Sequence, residues 1–241
     1  MKWIPLAVAM LVVLLSSCME ERGVSPDLGY DFFPLQVGKS WEYAVDSITY
    51  RSDGIPDTAN LFFLEKIVDW RIDNVGDTLY IAERYERYDS TQPWQVKEVF
   101  SLKRTRTQAI RTENNLSFIK LIFPIKRRDR WDGNKYFDSE VNTPVAGNAI
   151  QMFLDWEYIY QNVASNEVMV NSADYELQVR LRKAEEKYAP NVGLTYRHLQ
   201  ILDTQCITCC GSTESPACDT LPWAAKAERG FILEQKLIRH H

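Results

Sequence analysis

The sequence has very little histidine. Among 241 residues only His198, His240 and His241 are present, although histidine is the side chain used most often for general acid–base catalysis. The chain also has no His-Glu-x-x-His, no Gly-x-Ser-x-Gly and no glycine-rich phosphate loop. We therefore predict that the protein is not an enzyme, that it holds no cofactor, and that His198 is a structural or surface residue.

Positive charge is also in short supply. The chain has 28 Lys and Arg against 33 Asp and Glu, a formal net charge of −5, which argues against a nucleic-acid partner. The one local exception is a basic run at 126–130, Lys-Arg-Arg-Asp-Arg. A solvated loop is the simpler interpretation of this run, and contact with anionic lipid headgroups is the functional alternative.

Long apolar runs are absent except at the amino terminus. Residues 3–15 form an uncharged run of 13 residues, after Lys2 and before the small residues Ser16 and Ser17. This is the three-part pattern of a secretory signal peptide. The run is shorter than the roughly 20 residues that a spanning helix needs, so we predict a signal peptide over residues 1–17.

The residues at the end of that run sharpen this prediction. Leu15-Ser16-Ser17-Cys18 resembles the lipobox of bacterial lipoproteins, which implies that Cys18 carries lipid and becomes the new amino terminus; an ordinary signal peptide followed by an incidental cysteine is the alternative. Met19 follows where an inner-membrane retention signal would have Asp, so the resemblance implies an outer-membrane location. Residues 18–29 are polar with Gly and Pro, and predict a flexible tether. A single domain is expected over residues 30–241.

The other four cysteines lie together near the carboxyl terminus. Their spacing is Cys206-x2-Cys209-Cys210-x7-Cys218, and export would place them in an oxidising compartment, where an even set predicts two disulfides. Cys206–Cys209 with Cys210–Cys218, or Cys206–Cys210 with Cys209–Cys218, avoid a strained bridge between neighbours. A four-thiolate zinc site and a redox pair are weaker alternatives, because the spacing and the surrounding pattern suit neither.

Short alternating segments dominate the rest of the chain. Trp41, Tyr43 and Val45 alternate with polar residues, as in a half-buried strand, and the pattern at 175–181 is the cleanest of all. Helical patterning is confined to 222–229, with 148–158 ambiguous. We predict an all-β antiparallel meander that forms an open or half barrel or a sandwich, with at most one or two short helices. The other expected strands are 60–70, 78–88, 96–102, 105–112 (with Arg111 on a polar face), 118–125, 192–202 and 231–238.

Three blocks of the sequence resemble the recurring blocks of uncharacterised outer-membrane lipoproteins of Gram-negative bacteria. This resemblance implies a β-rich exported domain and implies no activity. The blocks are Phe33-Pro34-Leu35 with Val37-Gly38 and Trp41-Glu42-Tyr43, residues 188–194 with Tyr196-Arg197, and residues 227–233.

Two functions remain open from the sequence. The first is a lipid-anchored envelope protein that acts as a structural or interaction module, with the membrane and another envelope component as partners. The second is a carrier that holds a lipid or another apolar ligand in a curved β-sheet, by fold analogy alone. Abundant tryptophans would line a cavity in the carrier and fill the core in the module. Asp53, Asp57, Asp73 and Asp77 lie in turn-like segments whose spacing does not match a calcium loop, so no metal site is expected.

Overall fold

The computed structural model of the protein describes residues 27–51, 55–154, 156–172, 175–204 and 221–241. These residues form an all-β structure in which every strand pairing is antiparallel. One large, nearly closed sheet contains most of the strands. The predicted all-β class is thus confirmed, and the predicted helix at 222–229 is present as the four-residue α1, Trp223–Lys226.

The first six strands form a series of hairpins that runs outward from β1 to the sheet edge at β6. Their bounds are β1 Ser40–Tyr50, β2 Pro56–Ile72, β3 Thr78–Arg87, β4 Gln95–Arg104, β5 Gln108–Glu113 and β6 Leu116–Ile122.

The later strands build the other half of the sheet on the free side of β1. β15 pairs with β1, and the order continues through β14, β13, β11 and β10 to the second edge at β7, while β12 pairs with β13 and β8 pairs with β9 as a separate hairpin. Their bounds are β7 Arg130–Asp132, β8 Asn142–Val145, β9 Asn148–Gln151, β10 Glu157–Val163, β11 Val168–Ser172, β12 Tyr175–Leu177, β13 Arg180–Ala189, β14 Gly193–Asp203 and β15 Arg229–His240.

Period-2 alternation places the core on the inner face of the sheet. In β1, Trp41, Tyr43 and Val45 are buried while the residues between them are less so. Successive side chains of a strand point to opposite faces, so the apolar set of β1 enters the interior together. Ile67 of β2 and Ala82 of β3 continue the same core.

The two edges of the sheet, β6 and β7, meet through a mixed set of hydrogen bonds. The Ile119 N–H donates to the Gly133 carbonyl at 2.9 Å, and the Trp131 indole N–H donates to the Ile119 carbonyl at 2.9 Å. The Tyr160 hydroxyl accepts from the Ile122 N–H at 2.9 Å and donates to the Ile122 carbonyl at 2.7 Å. Side-chain hydrogen bonds therefore take the place of most of the backbone hydrogen bonds that a fully closed sheet would have here. They satisfy backbone groups at both edges of the sheet.

The amino-terminal residues cross one end of this sheet, which we name the tether end. The 3₁₀ helix Tyr30–Phe32 lies here. The Arg104 guanidinium donates to the carbonyls of Tyr30 and Phe33 at 2.8 and 3.1 Å, which fastens the crossing segment to the sheet. The strand pairings place at this end the β2–β3, β4–β5 and β13–β14 turns, the start of β1 and the end of β15.

The opposite end, the far end, carries the β5–β6 turn at Asn114 and Asn115 and the end of β1 at Tyr50. Both asparagines adopt positive φ angles of 50° and 63°, a region in which asparagine is tolerated better than most residues. A tight turn therefore joins β5 to β6 at the far end.

The strand predicted at 175–181 is wrong. The structure has β12 at Tyr175–Leu177, a turn at 178–179, and then β13 from Arg180. Leu177 and Val179 are 50% and 36% exposed, whereas Leu181 is buried. The alternating pattern is therefore interrupted by a hairpin turn, and its apolar residues do not share one buried face.

Within the described ranges, no helix has both the length and the apolar character needed to cross a membrane.

The closure of the sheet leads to a prediction about stability. Tyr160→Phe removes both hydrogen bonds between the tyrosine hydroxyl and the Ile122 backbone and should lower the free energy of unfolding by about 2 kcal/mol, because part-buried polar groups would lose those bonds. Urea unfolding followed by circular dichroism measures the change. Tyr136→Phe is the control, since Tyr136 is 51% exposed and its hydroxyl donates to the exposed end of the Gln108 side chain, and we expect a loss below about 0.5 kcal/mol. Equal losses in the two variants would contradict the proposed closure.

Candidate functional site

Charged side chains occupy the centre of the sheet interior. They come from seven strands and are at most 20% exposed, and they comprise four carboxylates and four cations, so that the set is formally neutral. We name this set the ionic belt. Its members are Glu65, Arg84, Glu98, Arg111, Glu113, Lys120, Glu186 and Arg197.

Glu65 is the centre of the first half of the belt. Both of its oxygens accept from Arg111, at 2.7 and 2.8 Å, which is the bidentate geometry that makes arginine–carboxylate pairs strong. Arg84 donates to the same carboxylate at 2.5 and 2.9 Å. This carboxylate of β2 therefore joins a cation of β3 to a cation of β5.

Aromatic rings and further carboxylates complete that half. The Arg111 guanidinium lies 3.7 Å from the centroid of the Phe100 ring, and that of Arg84 lies 5.0 Å from the Phe63 ring, within the range of cation–π attraction. Glu113 pairs with Arg111 and with Arg84, and Glu98 pairs with Arg84. Each arginine thus has opposite charge in the sheet and an aromatic face beside it.

Glu186 is the centre of the second half. It accepts from the Lys120 ammonium at 2.6 Å, from the Arg197 Nε–H at 2.9 Å and from the Tyr188 hydroxyl at 2.6 Å. The Lys120 ammonium also lies 3.4 Å from the Tyr158 hydroxyl. Because Lys120 is on β6 and Glu186 on β13, this contact crosses the interior between strands that are not neighbours in the sheet.

The pKa values of the carboxylates reflect these partners. Burial works to raise the pKa of Glu186, but Lys120 and Arg197 outweigh it and lower that pKa to about 2. Burial is likewise outweighed by Arg111 and Arg84 at Glu65 and Glu113, whose pKa values are lowered. Glu98 is different, because burial outweighs Arg84 there and raises its pKa.

Lys120 differs from Arg111 and Arg197 in the direction of its pKa shift, because its pKa is lowered while theirs are raised. Burial lowers the pKa of its ammonium to about 8, although Glu186 acts in the opposite direction. A desolvated lysine in a cavity is a common feature of binding and reactive sites. A shifted pKa also arises in purely structural ion pairs. Whether the lowered pKa of Lys120 indicates a binding site therefore depends on the cavity beside it.

A cavity of about 200 Å³ lies against the belt towards the far end. Its floor is charged, and its walls are apolar and aromatic. The indole Nε1 of Trp156, which lines it, is buried and has no hydrogen-bond partner among the described residues. The charged floor is Arg111, Glu113, Lys120, Glu186 and Arg197, and the apolar wall includes Leu116, Phe118, Met152, Phe153, Trp156 and Leu199.

A second void of about 40 Å³ lies on the other side of the belt, under the segment that crosses the tether end. Arg111, Lys120 and Arg197 line both spaces, so the belt divides the interior into two. The larger space has room for a small molecule with a polar group and an apolar body. It is smaller than the roughly 300–1,000 Å³ of typical ligand pockets.

The candidate residues from the sequence are not brought together by this site. Cys18 and the four cysteines Cys206, Cys209, Cys210 and Cys218 lie outside the described residues. His198 is half-buried on β14, beside Glu185 and Glu234 in the neighbouring strands.

The tryptophans are scattered, although the carrier hypothesis expected them to line a cavity. Trp41 lines the small void and Trp156 the larger cavity. Trp131 is buried at the closure of the sheet, and Trp70 is 53% exposed. Only part of this set therefore faces the interior spaces.

The aspartates of the β2–β3 turn hold a lysine. Lys103 lies 2.8 Å from Asp73 and 2.9 Å from Asp77. In the part of the chain that the structure describes, no group of three or more His, Cys, Asp or Glu side chains is arranged to hold a metal ion. Turn chemistry and an ion pair account for these aspartates.

Sequence reasoning missed the ionic belt. The prediction that Arg111 lies on a polar face is wrong, because it is buried and bound to Glu65. Lys120 interrupts an apolar strand, and Glu65 and Glu186 likewise lie among buried residues of their strands. Charged residues at inward positions of several strands were the available signal.

No protein-family model and no curated protein sequence matches the chain. Among solved structures, the chain is similar to a proposed lipoprotein from Parabacteroides distasonis, with 13% identity over 87% of this chain and 98% of that one and a TM-score of 0.36. It is also similar to a proposed exported protein with a YmcC-like fold from Bacteroides fragilis, with 9% identity, the same two coverages and a TM-score of 0.28.

The geometry of Glu186 predicts an asymmetry between two substitutions. Glu186→Gln leaves Lys120 and Arg197 buried without their carboxylate and should lower the free energy of unfolding by about 3–5 kcal/mol. Lys120→Met removes a desolvated cation and leaves Glu186 bound to Arg197 and Tyr188, so we expect a loss below about 2 kcal/mol. Urea unfolding of both variants measures the difference. A loss in Lys120→Met that equals or exceeds the loss in Glu186→Gln would overturn this description of the belt.

Proposed function

We propose that the chain is a lipid-anchored protein of the cell envelope that acts as a non-enzymatic structural or interaction module. The observation that carries this proposal is the small amount of free space that side chains leave inside the sheet. Packed apolar side chains and a formally neutral ionic belt occupy the space that a lipid carrier would leave for its ligand.

An acyl chain suits this interior poorly. The cavity against the belt has about 200 Å³ and a charged floor, and methylene groups placed there would gain little while hindering solvation of the ions. Two wider depressions, of about 460 and 490 Å³, have several charged and polar lining residues, including Lys103 in one and Lys135 in the other. These features favour the module over a carrier of long-chain lipids.

A second candidate function is a carrier of a small amphiphilic ligand in the far-end cavity. The specific observation in its favour is the Trp156 indole N–H, which lies beside a charged floor and has no hydrogen-bond partner in the part of the chain that the structure describes. Such a ligand would place a polar group on the floor and an apolar part against the Phe153 and Met152 side chains. The two candidates differ in what occupies this cavity, and they share the membrane anchor.

The proposed anchor is lipid on Cys18, in the outer membrane. Support comes from the lipobox-like Leu15-Ser16-Ser17-Cys18 at the end of the apolar run. Two or more acyl chains hold a protein firmly on a bilayer, whereas one chain binds only marginally. The anchor would therefore attach to the membrane a chain whose described residues contain no helix able to span it.

Replacing Cys18 by Ala tests the proposed anchor. In cells fed a radiolabelled fatty acid, we expect the label on the protein to be lost and the protein to leave the membrane fraction, because no thiol remains to carry the diacylglyceryl group. Ser17→Ala is the matched control, since it keeps a small residue next to the cysteine and should keep the label.

Label that persists in Cys18→Ala would contradict the anchor. Label that is absent from the unchanged chain in a lipoprotein-processing host would contradict it equally. Fractionation on a sucrose gradient then separates outer-membrane from inner-membrane attachment, and inner-membrane attachment would contradict the proposed location.

A further inference from the structure

We propose that the tether end is a membrane-docking surface, which lies against the anionic headgroups of the bilayer that holds the anchor. This inference rests on the proposed anchoring at Cys18 and adds an orientation to it. The surface consists of the exposed basic residues Arg71, Arg106, Lys126, Arg127 and Arg128, and the exposed apolar residues Trp70, Ile72 and Val75.

The position of the basic run relative to the anchor supports this orientation. The Ile125 N–H donates to the Leu28 carbonyl at 3.3 Å, and Gly29 packs against the Ile125 side chain. Lys126 follows directly. The chain therefore enters the domain beside the basic run, at the point where the anchored segment begins.

The short length of chain between the lipid and the domain limits how far the domain can lie from the bilayer. Cys18 precedes Asp27, the first described residue, by nine positions. Even a fully extended chain of that length reaches only about 30 Å. The bilayer surface therefore lies within that distance of the tether end, and the domain cannot move away from it freely.

The positive charge of the basic run favours an anionic surface. Lys126, Arg127 and Arg128 are exposed and form no ion pair within the described part of the chain, in contrast to Arg130, which pairs with Glu157 at 2.6 Å. Basic side chains near an anionic lipid surface are attracted to it over about a Debye length. The sequence alone favoured a solvated loop for this basic run. In the proposed orientation the run instead faces the lipid headgroups.

The proposed docking surface also has an apolar part. The β2–β3 hairpin ends at this end of the sheet, and it exposes Trp70, Ile72 and Val75 by 53%, 56% and 77%. Tryptophan is enriched where proteins meet the headgroup region. Exposed apolar side chains beside basic ones are suited to an interface with lipid, and are harder to explain in open solvent.

Acidic residues at the same end limit the strength of the attraction. Asp73 and Asp77 are paired with Lys103, while Asp27, Asp31 and Asp129 stay close to the basic run. Charge alone would therefore hold the domain weakly. The lipid anchor would supply most of the membrane binding. The docking surface would add a weaker contribution that sets the orientation of the domain.

Docking at the tether end would point the far-end cavity away from the bilayer. The cavity lies on the opposite side of the ionic belt from the segment that crosses the tether end. A partner or small ligand would reach it from the aqueous side. The module would then present its far end to other components of the envelope.

The test uses the chain from residue 18 onward with Cys18→Ser, which carries no acyl group, and measures its cosedimentation with vesicles at low salt. We expect it to bind vesicles of phosphatidylcholine with about one third phosphatidylglycerol, and to bind neutral phosphatidylcholine vesicles at least about tenfold more weakly. Lys126→Gln with Arg127→Gln and Arg128→Gln should weaken partition into the anionic vesicles by about 10- to 100-fold.

The matched control replaces three exposed lysines outside the tether end, Lys97→Gln with Lys135→Gln and Lys183→Gln, and should change partition by less than about twofold. Equal partition of the unchanged chain into both vesicle types would overturn the proposal, and so would equal losses in the two triple variants. Because these chains have no lipid, the result is independent of whether Cys18 is acylated, and the two proposals can fail separately.

Discussion

The contact between Glu186 and its two cations is the interaction on which the rest of the structure depends. Lys120 and Arg197 are almost fully buried, and a buried cation without a carboxylate would cost several kcal/mol. Glu186 supplies that charge from β13, and Lys120 reaches it from β6 on the edge of the sheet. The contact therefore holds the curled sheet together from inside, as Tyr160 and Trp131 do along its edges.

The ionic belt also explains why the interior is divided. Its charged side chains lie between a small void under the tether end and a larger cavity towards the far end. Pairing of four carboxylates with four cations fills the width of the interior with groups that satisfy one another, at some cost in stability relative to an apolar core.

Much of the fold was predictable because its signals are local. Alternation at Trp41, Tyr43 and Val45, and the turn residues between 73 and 77, define a strand and a hairpin within a few residues. The pattern at 175–181 failed because periodicity cannot distinguish one strand from two strands joined by a two-residue turn. The belt was not predictable in the same way, because Glu65 and Arg111 are 46 positions apart and Lys120 and Glu186 are 66, so that only the folded sheet brings them together.

The two ends of the sheet have different characters, and this difference connects the structure with the proposed function. The tether end combines the first described residues, exposed basic side chains and an apolar hairpin tip. The far end leads to a cavity with a charged floor. In the proposed orientation, the tether end would face the membrane and the far end would face the surrounding envelope, with the core of the sheet between them.

The central claim is that the protein's own side chains leave the sheet interior too little space for a long-chain lipid. Native mass spectrometry of the protein, extracted from envelopes in mild detergent, tests this most directly. The account predicts one species, whose mass equals the chain from Cys18 with its covalent acyl groups. A stoichiometric non-covalent lipid that is released only on collisional activation would contradict it.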